Sequence, residues 1–543
     1  MKRIFAAAAL LAAVMGNAGA QTWQDAFAFA ENNYVGTARS VGMGNAMTAV
    51  GGDLGSLTFN PAGSAVTGYS QFVLTPSLSI SSTYSQGTVD DQGGFLGFET
   101  GKTGWGTRFK VPNFGFITTY NTRNSSGLKR LSFGIVGNAT NDYTNGIKAI
   151  GTNSRTTLAG GLATLADGWP ESTLGGSFYS DDIPSWMTMV GYQSGIVSPV
   201  NGSDNAYAGA TERVLDNGDI KLADRINQRY QQRRRGNKYD ILMNFAADFS
   251  DKFYLGANLG ITSLSYRQDV AMAEEPVDPD SFVSTYIAED GTATERHFNS
   301  LRMRTAYRAE GTGIYAKAGF IWRPVAGLRV GAAIQTPSIL EIEERYAVDG
   351  RSVIDGRART AQSPEDEWHY NLKTPSRFNA GVAYTVGSMG LVSFDYERCN
   401  YQAMDLRSSM YDNNADFSVA NRDIYDCMRA SHAFRVGAEL KPMPSLAIRV
   451  GYNYVSSPLS SAVMNYKDGA RERVSFGLGY SSGGSFFADA AVRFHWMPIE
   501  YITPYYYYLH DDEGDFINAD IPTPQISADT RLVDVLMTVG WRF

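Results

Sequence analysis

Few residues of this chain have types and spacings that could perform chemistry. The five histidines are scattered without metal-ligand spacing: His297, His369, His432, His495 and His510. No segment has the strand–turn–helix context of a nucleophile elbow, and none is a phosphate-binding P-loop. We therefore expect no catalytic residues, no metal and no cofactor, and we interpret the chain as a non-enzyme. A hydrolase with dispersed catalytic residues is the alternative that this pattern leaves open.

The composition suits neither a disordered chain nor a bundle of membrane helices. The 543 residues are 43% hydrophobic, 19% charged and 12% aromatic, and 56 of them are glycine. Glycine exceeds its ordinary share of about 7% and charged residues fall below theirs of about 25%, which indicates many strands and tight turns. The formal net charge of −8 gives no support to nucleic-acid binding, because that function needs a basic surface.

The first twenty residues have the organisation of a secretory signal peptide. Lys2 and Arg3 precede the apolar run 4–15, and small residues at 18–20 form a cleavage site, so we expect cleavage after Ala20. A membrane anchor is the alternative, but this run is too short to cross about 30 Å as a helix. No later stretch approaches about 20 consecutive apolar residues, so only a closed β-barrel could place this chain in a membrane.

Alternation of apolar and polar residues is the clearest pattern, and it is strongest at the end of the chain. Between positions 531 and 543 one face is apolar, with Val533, Val535, Met537, Val539, Trp541 and Phe543. The opposite face is mostly small or polar, and the same period of two recurs between 239 and 249. A strand that faces lipid on one side and a wet or filled interior on the other needs this pattern.

Such segments come in pairs joined by short turns, and long polar stretches separate the pairs. The short turns are 250–252, 323–327, 441–445 and 481–485. Outer-membrane barrels have short periplasmic turns and long outer loops, whereas a soluble sandwich lacks this asymmetry. We predict an all-β fold, an antiparallel transmembrane β-barrel in the outer membrane. Its fourteen strands are expected near 72–82, 107–120, 129–140, 237–249, 253–267, 301–323, 328–336, 371–386, 391–404, 431–440, 446–456, 471–480, 486–496 and 530–543. The even number places both chain ends in the periplasm.

Two segments are too long to belong to the barrel wall. Residues 21–68 precede the first strand and are partly helical in pattern, and we interpret them as a hatch in the lumen. The insertion 141–236 is the longest connection, and loops of such length are usually functional. The predicted organisation is a signal peptide at 1–20, the hatch at 21–68, and a barrel at 69–543 that carries the outer insertion.

A basic cluster, Arg233, Arg234 and Arg235, ends this insertion near the predicted outer interface of the membrane. Guanidinium groups bind phosphates through paired hydrogen bonds, so we predict that the cluster contacts lipopolysaccharide. A solvated charged face is the alternative.

The two cysteines lie on either side of one predicted outer loop. Cys399 is at the outer end of a strand, and Cys427 comes just before the next strand. A bond between them would close the loop, and an oxidising compartment favours it, so we predict a disulfide.

The segment 36–63 reads GTARSVGMGNAMTAVGGDLGSLTFNPAG and ends in Asn60, Pro61, Ala62 and Gly63. The proline fixes its own φ and biases the preceding residue to an extended backbone, which makes a rigid corner before the first strand. A simple turn is the alternative. The segment resembles the hatch of the outer-membrane long-chain fatty acid and hydrocarbon transporter family (FadL/TodX), especially in its Bacteroidetes-type form. Residues 335–337 and 374–377 agree with this resemblance.

The resemblance implies a fourteen-stranded barrel plugged by an N-terminal hatch. In that family outer loops capture a hydrophobic ligand, which passes to a pocket in the barrel and leaves sideways beside an inward kink of the third strand. Here the kink would fall within 131–140, where Gly134 and Gly137 would permit a bend. The outer groove would include Leu162, Trp186, Met189 and Val190; the alternative is that these side chains pack the insertion's own core.

We therefore predict a monomeric, passive transporter of hydrophobic small molecules, in contact with outer-membrane lipid and lipopolysaccharide. The first alternative is a protein-interaction role, since relatives serve as a cargo-binding barrel in type IX secretion. A ligand transporter should have an apolar cavity beside the strand kink, whereas a cargo barrel should have a filled lumen and a protein-sized outer surface. A general porin is the third hypothesis, but residues 21–68 would obstruct its channel.

Overall fold

A computed structural model gives the structure of the chain. It describes residues 22–90, 93–180, 182–200, 205–215, 220–280, 282–287, 293–411, 415–461, 463, 469–507, 521 and 523–543. The predicted signal peptide at 1–20 lies outside the described residues.

Fourteen antiparallel strands form a closed barrel, which confirms the predicted fold class. They are β1 Gln71–Gly87, β2 Lys102–Asn121, β3 Leu128–Asp142, β4 Ile226–Phe249, β5 Phe253–Pro276, β6 Ala293–Trp322, β7 Leu328–Gln335, β8 Arg377–Val386, β9 Gly390–Asn400, β10 Ala430–Met443, β11 Leu446–Val455, β12 Arg471–Ser481, β13 Phe486–Trp496 and β14 Ile526–Arg542. Each strand pairs with its neighbours in sequence, and β14 pairs with β1 to close the barrel. Backbone hydrogen bonds between Ser70 and Phe543 complete this seam.

The connections are short at one end of the barrel, here called the turn end, and long at the other, the loop end. The β4–β5 turn shows why a short connection forms. Ser250 and Asp251 have φ values of 62° and 56°, as the two central residues of a type I′ turn require, and the Lys252 N–H donates to the Phe249 carbonyl at 3.1 Å. The predicted strand 371–386 is wrong in one respect. It is two strands, Asp366–Lys373 and β8, because Pro375 between them has no N–H to donate to a ladder.

The two faces of the wall have opposite chemistry. On β14, Val535 and Met537 are exposed, while Asp534, Leu536 and Thr538, which alternate with them, are buried. Since successive side chains of a strand point to opposite faces, the outside is an apolar band for lipid and the inside is polar.

Further elements lie inside the barrel or at the loop end. The helices are α1 Trp23–Ala30, α2 Ala38–Gly42, α3 Leu158–Ala166, α4 Glu171–Leu174, α5 Trp186–Gln193 and α6 Ser418–Cys427, with 3₁₀ turns at Leu54–Thr58, Pro61–Val66 and Tyr401–Ala403. The additional strands are Asn145–Asn153, Val197–Pro199, Tyr207–Gly209, Glu212–Val214, Ile220–Leu222, Val283–Ile287, Ile339–Ile354, Arg357–Gln362, Asp366–Lys373, Asp405–Ser408 and Glu500–Ile502. Within the described residues, no helix has the length and apolarity that a membrane crossing requires.

The N-terminal residues 22–69 fill the lumen as a hatch. Its backbone lies directly against the wall at glycines of several strands. A Cβ atom at Gly331, Gly437 or Gly451 would overlap hatch backbone atoms between 43 and 48. A residue with a side chain at these positions would therefore hold the hatch away from the wall.

Side chains of the wall supply hydrogen bonds that the irregular hatch backbone cannot make within itself. The hatch carbonyl groups accept from Lys238 at Phe29 (2.6 Å), Arg377 at Ala30 (2.9 Å), Arg493 at Tyr34 (2.9 Å), Arg329 at Val50 (2.6 Å) and Asn258 at Leu57 (2.8 Å). Buried backbone groups must be paired, so these polar wall residues fix the path of the hatch.

Where the wall meets residues 60–62, it carries small residues on both faces. Gly256 and Gly319 face the hatch, and a Cβ atom at either would overlap this segment. On the lipid side, small residues line a hollow of about 940 Å³, among them Ala247, Ala257, Ala318 and Ala332. The wall is therefore thin at this point.

Gly256 and its neighbour Ala257 give a direct test of hatch seating, because they occupy opposite faces of one strand. Gly256→Val should lower thermal stability and the yield of heat-modifiable barrel on electrophoresis, since overpacking costs about 1–3 kcal/mol. Ala257→Val places a valine side chain toward lipid instead, and it should leave both thermal stability and barrel yield unchanged. Equal behaviour of the two variants would show that the hatch does not depend on this contact.

Candidate functional site

The wall of the barrel has a break between β2 and β3. Their ladder runs from Asn121↔Arg130 up to Asn113↔Asn138 and then stops. Toward the loop end, β2 continues to Lys102 but pairs only with β1, apart from one bridge between Thr100 and Ile150. A stretch of β2 about ten residues long thus has one edge without a strand partner among the described residues.

Beyond the break, β3 lies inside the barrel. Six consecutive residues, from Val136 to Asn141, are buried, so both faces of the strand are covered. The free edge of β3 is taken by the hatch, because Asn33 N–H donates to the Thr140 carbonyl (2.6 Å) and Val35 N–H to the Ala139 carbonyl (3.1 Å). The hatch therefore replaces β2 as the partner of β3 at this level.

Side chains, rather than a backbone ladder, bridge the break. Lys110 and Arg108 of β2 form ion pairs with Asp142 at 2.9 and 3.0 Å, and Arg108 also donates to the Gly236 carbonyl at 3.1 Å. The Tyr239 hydroxyl donates to the Val111 carbonyl at 2.7 Å. Apart from the single Thr100–Ile150 bridge, in which the Thr100 N–H donates to the Ile150 carbonyl at 3.1 Å, these contacts can separate without unfolding a strand.

The break lies at the level of the apolar band. Phe109 on β2 is 70% exposed and stands opposite Leu78, which also faces outward. Trp105, four residues further toward the loop end, is 76% exposed. The lipid side of the break is therefore flanked by large apolar side chains.

The residues predicted to permit the bend lie where β3 meets β2. Gly134 and Gly137 have no positive φ, but a Cβ atom at Gly137 would overlap the ring of Phe114. Gly115 of β2, which the sequence reasoning missed, has a φ of 154° and would overlap Ile135 and Val136 if it carried a side chain. In the sequence, a glycine at an inward-facing strand position is the signal that could have identified Gly115. The role of these residues in a functional kink stays a prediction.

An aromatic chamber lies directly behind the break. Tyr143, the residue after β3, stacks edge-on against Tyr266 with ring centroids 5.2 Å apart. Tyr266 in turn contacts Phe29 (5.5 Å) and Tyr307 (5.9 Å). The chamber continues through a larger buried cluster that includes Ala26, Leu264, Leu340, Ile342, Leu372, Met404, Leu406 and Ile424.

Helix α1 fills this chamber. Phe29 is fully buried, and Phe27 packs on Tyr401 with centroids 5.1 Å apart. A capping box starts the helix: the Asp25 N–H donates to the Thr22 hydroxyl oxygen at 3.3 Å, and the Asp25 carboxylate accepts from the Thr22 backbone. Burial raises the pKa of Asp25 to about 6, although its hydrogen bonds with Thr22 and the charge of Arg234 act in the opposite direction.

The predicted hatch motif sits on the barrel wall. The Asn60 amide donates to the carbonyls of Thr48 and Phe320, both at 2.8 Å, and Asn244 donates to the Pro61 carbonyl at 2.9 Å. Asn60 also caps the 3₁₀ turn that begins at Pro61. The motif therefore joins two parts of the hatch to two strands of the wall, and Ala62 and Gly63 complete the buried turn.

The four predicted groove residues do not line an open groove. Leu162, Trp186, Met189 and Val190 are at most 3% exposed, and they belong to one apolar core in the insertion. The core also receives residues from extended parts of β5 and β6, such as Met272 and Met303. The predicted outer groove at these positions is therefore wrong, because the four side chains pack the core of the insertion. Residues 143–225 of the insertion are here called the cap.

The predicted disulfide is also absent. Cys399 and Cys427 are both free and buried. Cys399 stands opposite Arg377 at the end of β9 and packs in the aromatic chamber cluster, whereas Cys427 is the last residue of α6. The two thiols thus face different surroundings.

The basic cluster is divided between the two faces of β4. Arg233 and Arg235 are exposed on the outer face. Arg234 points inward and pairs with both carboxylate oxygens of Glu500, at 2.8 and 2.5 Å. The prediction that Arg234 contacts lipopolysaccharide is therefore wrong, because the period of two places it on the inner face.

Among the described residues, one group of metal-ligand types is close together in space: Glu343, Glu367 and His369, on neighbouring strands of the loop end. The Arg345 guanidinium lies between the two carboxylates, 2.7 Å from Glu343 and 3.2 Å from Glu367. Since a cation already neutralises this group, it gives no ground for a metal site. Sequence spacing could not reveal the cluster because a cross-strand pair creates it.

Comparisons with known proteins bear on the fold. No family model matches the sequence, and no curated protein matches it. Among solved structures, a Pseudomonas aeruginosa FadL homologue is similar at a TM-score of 0.50 and 13% identity, covering 94% of this chain and 98% of that one. The P. putida toluene transporter TodX gives a TM-score of 0.48 at 12% identity, with 95% and 99% covered. At such identity the likeness is one of fold, and the narrower Bacteroidetes-type resemblance stays a prediction.

The docking of α1 should depend on pH through Asp25. Its pKa in the folded protein is above its ordinary value of 3.8, so the folded state binds the proton more tightly. The stabilisation is complete below pH 3.8 and is lost as pH rises through about 6. Hydrogen exchange of α1, corrected for intrinsic rates, should be slower at pH 4.5 than at pH 7. Asp25→Asn should remove most of that difference; an unchanged difference would contradict this account of α1 docking.

Proposed function

We propose that the chain is a passive outer-membrane transporter of hydrophobic small molecules, such as long-chain fatty acids or hydrocarbons. The observation that carries the proposal is the break between β2 and β3, which lies at the level of lipid and opens onto an aromatic chamber. The loop end faces the exterior, and the turn end, where the chain enters β1 and leaves β14, faces the periplasm. The predicted periplasmic N-terminus has no such support, since α1, at the start of the described residues, packs against Tyr401 and Ile424 toward the loop end of the lumen. Residues 21–68 serve as the hatch, and 69–543 form the barrel with its outer insertion.

The filled lumen supports a sideways route rather than a straight channel. The hatch touches wall glycines and accepts hydrogen bonds from charged wall residues on several strands. Two cavities beside the hatch toward the loop end measure about 30 and 20 Å³, roughly the size of single water molecules. A third cavity, of about 480 Å³, lies between the hatch and the wall toward the turn end, among polar residues such as Arg39, Glu439 and Arg449, and the hatch separates it from the two small cavities. A general porin would need a continuous polar channel, so this arrangement disfavours the porin hypothesis.

The chamber has the chemistry that a hydrocarbon chain prefers. Its walls are aromatic and aliphatic, and its buried tyrosine hydroxyls are paired, as those of Tyr307 and Tyr370 are with Glu344. A ligand that takes the place of Phe27 and Phe29 of α1 would gain about 0.8 kcal/mol for each buried CH₂ group. In this mechanism α1 occupies the site in the absence of ligand and moves aside when ligand enters.

The last step is release into the membrane through the break. Arg108, Lys110 and Asp142 would part, and the ligand would pass between β2 and the inward half of β3 toward Trp105 and Phe109. Partition into acyl chains drives this step without an energy source. The bilayer then receives a ligand that the polar surface of the outer leaflet would exclude.

A protein-binding role is the second candidate, and the cap is the observation that favours it. The cap has an extensive apolar core of its own and stands above a filled lumen. The filled lumen, in which α1 occupies the apolar cluster behind the break, also matches what the sequence analysis expects of a cargo barrel. We rank this role second because protein binding gives no reason for the break in the wall. A cargo barrel would show a stable protein partner and no ligand uptake in the two experiments that follow.

Locking the break should stop transport. Thr100, just before β2, and Ile150, on the strand Asn145–Asn153 that follows β3, are bridge partners at the loop-end limit of the break, and antiparallel partners lie close enough for a disulfide. In liposomes containing the variant with Thr100→Cys and Ile150→Cys, uptake of a fluorescent fatty acid should fall to the level of protein-free liposomes. Reductant should restore it. Cys399 and Cys427 are buried and should not interfere.

The matched control places the bond where the ladder is already intact. Thr119 and Ser132 are partners below the break, so Thr119→Cys with Ser132→Cys should not change uptake. Transport that continues through the oxidised Thr100–Ile150 variant would rule out a route that requires the break to widen.

Removing a buried side chain of α1 should strengthen ligand binding. Phe29→Ala removes a fully buried ring from the chamber, so α1 competes less with ligand. Each 1.4 kcal/mol of docking free energy that α1 loses should tighten fatty-acid binding about tenfold. Isothermal titration measures the change. Phe245→Ala, on the lipid-facing surface, is the control and should bind like the parent protein. Weaker binding by the Phe29 variant would contradict the proposed competition.

A further inference from the structure

Four arginines form a row across the outer face of the barrel near the loop end. Arg235 of β4 stands opposite Arg267 of β5, and Arg267 stands opposite Arg308 of β6. Arg308 in turn stands opposite Arg345 of the strand Ile339–Ile354. All four alternate with inward residues and point away from the lumen. This row is here called the arginine row.

The arginine row lies above the apolar band at a fixed distance. A row of isoleucines crosses the same four strands in register: Ile241, Ile261, Ile314 and Ile339. On every strand the arginine comes six residues beyond the isoleucine toward the loop end. At about 3.3 Å per residue this is about 20 Å along the strand, and strand tilt reduces it to about 15 Å of height. The residues between the rows are mainly polar, as expected above the hydrocarbon layer.

Three of the four guanidinium groups have no anionic partner in the described part of the chain. Arg345 pairs with Glu343 and Glu367, but Arg235, Arg267 and Arg308 form no ion pair there. Of the nearby outward carboxylates, Asp269 is paired with Arg304 at 3.2 Å. Glu310, two residues along β6 from Arg308, forms no ion pair with the row in the described part of the chain. Directly opposed like charges destabilise a sheet, so an external anion is the natural compensation.

We propose that Arg235, Arg267 and Arg308 bind the phosphate groups of lipopolysaccharide in the outer leaflet. The guanidinium fork matches phosphate oxygens, and three adjacent forks spaced by the strand separation of about 4.8 Å suit a molecule with more than one phosphate. The outward direction of the row and its height above the isoleucines select a membrane lipid over an anion from the lumen. This site includes one residue of the predicted basic cluster and adds two residues that are distant in sequence. It does not depend on the proposed transport function.

The test compares binding of lipid A by the full chain in detergent micelles. The variant combines Arg235→Gln, Arg267→Gln and Arg308→Gln. The control combines Arg357→Gln, Arg359→Gln and Arg398→Gln, which removes the same charge from three exposed arginines that do not face another arginine. Heat-modifiable electrophoresis confirms that each variant forms the barrel. We expect the row variant to bind bisphosphorylated lipid A about tenfold or more weakly, and the control to match the parent.

A second comparison separates phosphate recognition from binding of the acyl chains. Dephosphorylated lipid A should bind the parent protein as weakly as bisphosphorylated lipid A binds the row variant. The proposal is overturned if the row variant binds like the parent, if the control variant loses as much affinity, or if removing the phosphates has no effect. Inorganic phosphate at millimolar concentration should fail to displace lipid A; full displacement would mean that the row binds free phosphate rather than the lipid.

Discussion

The structure depends on how the hatch backbone satisfies its hydrogen bonds inside a closed barrel. Beyond the eight-residue helix α1, the hatch has only short helical turns. Many of its N–H and C=O groups therefore have no partner within it, and burial without a partner is costly. The wall supplies those partners through charged and amide side chains such as Lys238, Arg377 and Arg493. Glycines such as Gly256 and Gly451 let the two backbones approach. The polar side chains of the inner face therefore form hydrogen bonds with the hatch rather than lining an open channel.

The same requirement explains why a break in the wall can exist. A strand that leaves its neighbour in a membrane exposes backbone groups to lipid, which is unfavourable. Here the edge that β3 loses toward β2 is paired with Asn33 and Val35 of the hatch, so the buried strand is not left unsatisfied. Side chains satisfy part of the exposed edge of β2. The Tyr239 hydroxyl, for example, donates to the Val111 carbonyl. Hatch and break thus form one arrangement, and a filled lumen and a lateral route are two consequences of it.

Much of the barrel could be predicted from the sequence because one physical rule repeats along it. Alternation located all fourteen strands, and Pro61 marked the hatch corner. The loop-end extensions of β4 to β6 were missed because a barrel crossing needs only about ten residues and these strands run to 24, 24 and 30. Cross-strand groups such as the arginine row could not be predicted, because the spacing of residues along one strand does not reveal its register with the next strand. The inward direction of Arg234, in contrast, followed from the period of two and could have been found.

Photoaffinity labelling with a long-chain fatty acid that carries a diazirine near its terminal carbon tests the central claim most directly. With the full chain in lipid bilayers, the account predicts labels in α1, at Tyr143 or Tyr266 in the chamber, and on β2 between Lys102 and Pro112. Excess unlabelled fatty acid should remove these labels. Labelling confined to lipid-facing positions on the far wall, such as Phe434 and Val450, and insensitive to competitor, would contradict a ligand path through the chamber and the break.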